Sequence, residues 1–124
     1  MKIMIVDDSR TMRNVQKNVL KQLGHSDVVE ACDGREALKV VKEADPELIL
    51  LDWNMPNMNG LEFLHAFRET NKKTPIIMVT TEGEKARVIE AIKAGVNNYV
   101  MKPFTPAVLK QRIEETLAKI MQPS

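Results

Sequence analysis

The chain has almost nothing to staple or anchor it. One cysteine, Cys32, excludes an internal disulfide and fits a reducing compartment. No apolar run approaches the roughly 18 residues that a membrane-spanning helix needs. The opening run Ile3-Met4-Ile5-Val6 is too short for the core of a signal peptide. Linkers, repeats and low-complexity tracts are missing, and so is a Walker-type glycine-rich phosphate loop. The formal net charge is +1, so bulk attraction to nucleic acid or to an acidic partner is excluded as a driving force. The expectation is a cytoplasmic protein that engages neither membrane nor nucleic acid.

What is there fills 124 residues, of which 44% are hydrophobic and 28% charged, enough for one domain with a real core. Ile3-Met4-Ile5-Val6 reads as a first strand that ends in Asp7 and Asp8. Ser9 suits an N-cap, and Met12, Val15, Val19 and Leu23 recur at helical spacing up to Gly24, a C′ residue. Val28 to Ala31 is a second strand. Asp33-Gly34 turns the chain into a helix from Glu36 to Ala44, with Ala37, Leu38 and Val41 inward, and Asp45-Pro46 stops it. Leu48-Ile49-Leu50-Leu51 is a strand buried on both faces, ending in Asp52. A helix marked by Leu61, Leu64 and Phe67 follows Gly60 and runs to about Asn71. Pro75 to Thr80 is a fourth strand, and Glu84 to Ala94 a fourth helix. Ala86, Val88, Ile89 and Ile92 read there mostly as core. Asn98 to Met101 is a fifth strand, ending at Lys102-Pro103. Thr105 caps the last helix, Pro106 takes its first position, and Val108, Leu109, Ile113, Leu117 and Ile120 form its inner stripe.

Strands alternating with helices imply an α/β fold: a five-stranded parallel sheet, doubly wound, with helices on both faces. In such a sheet the carboxyl ends of the strands share one edge, where open α/β folds place their chemistry. That edge collects Asp7, Asp8, Asp52, Thr80 and Lys102. Two carboxylates about 4 Å apart repel by roughly 4 kcal/mol at an effective dielectric near 20. A raised pKa or a bound cation must relieve this. Oxygen ligands beside a group that accepts phosphate favour Mg²⁺. Asp52 is then the nucleophile, Lys102 a second positive charge and Thr80 a donor to a phosphoryl oxygen.

These residues, with the Met-Pro-x-x-x-Gly loop after Asp52 and Lys-Pro-Phe after the fifth strand, resemble the receiver domain of two-component response regulators over essentially the whole chain. Asp-Trp-Asn-Met-Pro, Met-Val-Thr-Thr-Glu, Ala-Gly-Val-Asn-Asn-Tyr and Lys-Pro-Phe-Thr-Pro make it most similar to the stand-alone chemotaxis receivers. The resemblance implies a flavodoxin-like strand order 2-1-3-4-5 and one receiver domain over residues 1–124 with no output domain. Asp52 is implied to accept a phosphoryl group from a histidine kinase. Asp8, Asp52 and the backbone carbonyl of Asn54 are implied to ligate Mg²⁺, with Asp7 acting through water. Lys102 and Thr80 are implied to contact phosphoryl oxygens, the Lys102-Pro103 peptide to be cis, and Asn54 and Glu82 to set the phosphoryl lifetime. Tyr99 is implied as a switch residue. Gly83, Lys85, Tyr99, Met101, Phe104 and Thr105 are the candidate readout face for a flagellar motor switch protein. Trp53 is expected to be a partly exposed neighbour of the site.

The expected protein is thus a monomeric signalling switch rather than an enzyme with an external product, and a dedicated phosphatase is left open. A single-domain phosphorelay intermediate, passing phosphate to a histidine phosphotransfer partner, is the alternative. An Mg²⁺-dependent aspartyl phosphatase would carry a second acid two residues after the nucleophile, where this chain has Asn54. A flavodoxin-like redox protein would need a hydroxyl- and glycine-rich loop where Asp7-Asp8 stand.

Overall fold

Ten elements alternate along the chain: β1 (Ile3–Val6), α1 (Arg10–Gln22), β2 (Val28–Ala31), α2 (Gly34–Ala44), β3 (Leu48–Leu51), α3 (Gly60–Arg68), β4 (Ile76–Thr80), α4 (Lys85–Lys93), β5 (Asn98–Met101) and α5 (Pro106–Met121). The computed structural model describes residues 1–81 and 85–121, and only the backbone of Lys85, Ile120 and Met121. Among the described residues no helix is long and apolar enough to cross a membrane. The strands form one parallel sheet in the order β2-β1-β3-β4-β5, as the resemblance implied.

The sheet divides the core by the two-residue period of its strands. Ile3, Ile5, Leu48, Leu50, Ile77 and Val79 face one way and pack with Val19 and Leu20 of α1 and Leu109 and Ile113 of α5. Met4, Val6, Ile49, Leu51, Ile76 and Met78 face the other way, against Ala37 of α2, Phe63, Leu64 and Phe67 of α3, and Ala91 of α4. β1 and β3 are therefore apolar at every position, and β4 at every position before its terminal Thr80.

Local chemistry sets the helix starts. The Ser9 side chain accepts from the Met12 N–H, and Asp33 from the Glu36 N–H. Asn59 and Glu62 form a reciprocal capping box on α3. The Thr105 hydroxyl accepts from the Val108 N–H at the start of α5. Gly24 and Gly95 follow α1 and α4 with φ of +89° and +109°, backbone that glycine adopts without strain.

Four helices differ from the sequence expectation. On α1, Val15 is exposed, and the inner stripe runs through Gln16, Val19 and Leu20, so a polar residue occupies a core position. On α4, Ala91 alone of the described residues is buried. Ala86 and Ile89 are exposed, and Ile92 is 55% exposed. The small Ala91 lets the helix lie close to the sheet, and the branched residues turn outward. On α5, Val108 is exposed while Leu109 and Ile113 are buried, and the Ile120 side chain lies outside the described residues. In addition, α3 stops at Arg68, one turn before Asn71.

Candidate functional site

Hydrogen bonds of the sheet run one residue past the strands and fix the backbone of the site. The Asp7 N–H donates to the Ala31 carbonyl at 3.0 Å, the Asp52 N–H to Val6 at 2.9 Å and the Lys102 N–H to Thr80 at 2.8 Å. Three strand ends are thereby held in register. The loop after Asp52 returns tightly, with the Gly60 N–H on the Trp53 carbonyl at 2.9 Å. A Cβ on Gly60 would stand 2.2 Å from the Asp52 carbonyl oxygen, so only glycine lets α3 start so close to the site.

Asp7, Asp8 and Asp52 each bring one carboxylate oxygen to within 4.8 Å of the others. Asp7 and Asp52 are buried and Asp8 is exposed, so the cluster opens toward solvent on the Asp8 side. Lys102 lies between the two buried acids. Its Nζ is 2.7 Å from Asp7 Oδ2 and 3.5 Å from Asp52 Oδ1. Asp7 Oδ1 accepts from the Ser9 N–H at 2.9 Å, and Asp7 Oδ2 also accepts from Gln16 Nε2 at 3.4 Å. The Arg13 guanidinium donates to the Asp7 backbone carbonyl at 2.7 Å and to Glu30 at 3.0 Å. Lys17 adds a second ion pair to Glu30 at 3.1 Å. Burial raises the Glu30 carboxyl, but hydrogen bonds from Lys17 and Arg13 bring it below its ordinary value.

The Asp52 carboxyl is pushed up to about 6. Burial is the main cause; Lys102 opposes it, Asp7 and Asp8 add to it, and the Trp53 backbone N–H opposes it. One ammonium therefore does not balance three acids. A divalent cation would, and the all-oxygen donor set is that of a hard ion.

Other expected site residues stand on β4, on β5 and in the loops that follow β3 and β5. Thr80 is buried at the end of β4, and Asn54 is exposed two residues after Asp52. The Lys102-Pro103 peptide is cis. Tyr99 is half-buried against the α2–α4 side of the core, and Phe104 against the α1–α5 side. Met101 and Thr105 are exposed. The expected aromatic patch is thus part surface and part core. Glu82, Gly83 and the Lys85 side chain lie outside the described residues.

Trp53 corrects its expectation. It is 4% exposed: it belongs to the core on the α2–α4 side of the sheet, and the Arg87 guanidinium of α4 lies over its ring at 5.4 Å from the centroid. Sequence reasoning also missed Gln16, Arg13 and Glu30. Gln16 did carry a signal: it is the polar member of an otherwise apolar stripe at helical spacing. Arg13 and Glu30 carried none, since their pairing depends on α1 lying beside β2.

A family model described as the response regulator receiver domain matches residues 3–114. The chain belongs to this family. This receiver is 56% identical over 120 residues to a chemotaxis protein CheY homolog of Campylobacter jejuni, covering 94% of this chain and 92% of that protein. Against chemotaxis protein CheY1 of Helicobacter pylori the identity is 55% over 120 residues, with 94% and 97% covered. Among solved structures, Vibrio cholerae chemotaxis protein CheY4 matches with a TM-score of 0.87 at 37% identity, over 93% of this receiver and 97% of that chain. The receiver is accordingly a CheY-like response regulator, consistent with a chemotaxis response regulator.

Proposed function

We propose that this receiver is a stand-alone chemotaxis switch that accepts a phosphoryl group on Asp52 from a histidine kinase. The observation that carries the reading is Lys102 Nζ, which lies between the buried Asp7 and Asp52 at 2.7 and 3.5 Å in an under-neutralised acidic cluster that opens to solvent at Asp8. An Asp52 carboxylate oxygen attacks phosphorus, the P–N bond of the phosphohistidine breaks, and the histidine nitrogen leaves with the electron pair. Phosphoryl transfer asks mainly for alignment and charge neutralisation. Asp8, Asp52 and the Asn54 carbonyl would hold Mg²⁺, with Asp7 acting through water, and the ion would supply positive charge to the transferring group. Lys102 adds a second cation to the phosphoryl oxygens, and Thr80 donates a hydrogen bond to them. Asn54 and Glu82 set how fast water removes the group. The signal is read on α4, β5 and α5, where Gly83, Lys85, Tyr99, Met101, Phe104 and Thr105 meet a flagellar motor switch protein. Chemotaxis relatives that this chain matches over 92–97% of their length support that destination.

Asp52→Asn should abolish labelling by a small phosphodonor in Mg²⁺, because an amide cannot form the acyl phosphate. Persisting label would place the nucleophile elsewhere. The partner is tested by titrating the N-terminal segment of a motor switch protein with and without beryllium fluoride and Mg²⁺. Tighter binding of the activated form, lost in Tyr99→Ala, is the expected result. No binding in either state would turn the reading to a phosphorelay intermediate.

A further inference from the structure

Gln16 is an amide in a position built for an aliphatic side chain. It is 1% exposed, on the inner stripe of α1 beside Val19 and Leu20. Its Oε1 is one of two buried side-chain polar atoms among the described residues that find no hydrogen-bond partner. Such an atom carries a desolvation cost, so a residue serving packing alone would be leucine or methionine. Its Nε2, by contrast, faces Asp7 Oδ2 at 3.4 Å, a long contact on the same oxygen that Lys102 holds at 2.7 Å.

That geometry matters because Lys102 has two claims on it. Asp7 is 1% exposed, and its Oδ2 relies on Lys102. A phosphoryl group on Asp52 adds negative charge close to the 3.5 Å contact and draws the ammonium that way. Asp7 Oδ2 then loses its shortest protein donor, and Gln16 Nε2 at 3.4 Å is the protein donor placed to close in, since a buried carboxylate oxygen stripped of its donors is strongly disfavoured. We propose that Gln16 is a positioning residue for the switch: its amide tightens onto Asp7 Oδ2 as Lys102 turns to Asp52, and so favours the phosphorylated arrangement. The long contact is the resting half of that exchange. This inference rests on the reading of Asp52 as phosphoryl acceptor.

Gln16→Met keeps the length and shape of the side chain and removes the donor. The test is a titration with beryllium fluoride at saturating Mg²⁺, followed by the emission of the chain's one tryptophan, Trp53, alongside urea unfolding of both proteins. The expected result is an apparent affinity for the phosphoryl mimic weakened by roughly threefold to tenfold, the net value of one hydrogen bond, with a urea midpoint that does not fall. An affinity within twofold of the parent overturns the inference, and a lowered midpoint with unchanged affinity assigns Gln16 to packing alone. Gln16→Leu, judged by the same criteria, replaces the methionine variant if that one does not fold. If the parent protein itself gives no response to the mimic, the acceptor role of Asp52 fails first, and the two failures are told apart.

Discussion

Asp52 holds its charge at a cost. Its carboxyl ionises near 6 in the folded chain, against an ordinary value near 3.8, so between these limits the folded state binds a proton that the unfolded state has released. Stability therefore falls as pH rises from about 4 to about 6 and stays lowered above that. The penalty at pH 7 is about 3 kcal/mol. Asp52→Asn removes it: urea unfolding should show a variant more stable than the parent at pH 7, with the gain fading toward pH 4. Equal stability at pH 7 would mean that Lys102 already compensates the charge in full. The same proton competes with a cation, so Mg²⁺ affinity should drop as pH is lowered through about 6. Asp7, Asp8, Asp52, Thr80 and Lys102 were legible in the sequence because each ends an apolar run. The line between Lys102 and both buried acids was not, because it depends on where a four-carbon side chain turns.

Among the elements, α4 shows most clearly how the fold ties the proposed readout face to the residues beside Asp52. It buries little of itself, leaving Ile89 and Ile92 in solvent, yet Arg87 lies over Trp53, the residue next to Asp52. Stacking of this kind is worth about 0.5–1 kcal/mol at an exposed position and more where water is excluded. Arg87→Ala should destabilise the fold by about that amount and red-shift Trp53 emission as water reaches the ring. Unchanged emission would show that α4 is held by other contacts. Apolar residues along α4 suggested a buried helix, and the spacing could not show that only the Ala91 edge meets the sheet. A wide apolar arc reads alike for a core helix and for one that keeps a face for a partner. Strands fared better because an unbroken aliphatic run of four or five residues has few other uses.

At the scale of the molecule, one sheet with two cores makes the acidic edge a product of topology. Its charged residues are far apart in the chain, yet 2-1-3-4-5 order brings the ends of β1 and β3 side by side. Strand order has its own consequence in time. β1 pairs with β2 and with β3, so the first 52 residues already contain three adjacent strands and all three acids of the cluster. Lys102 arrives only with the strand at the far end. A chain that assembles from its N-terminus thus gathers the anions before their counter-charge, and a rate-limiting step that closes the acidic edge would carry that repulsion. Mg²⁺ should then speed refolding, not merely slow unfolding, in stopped-flow traces of Trp53. A change confined to the unfolding rate would place the closing of the acidic edge after the barrier. Newly made copies would in that case be indifferent to the ion until they are complete.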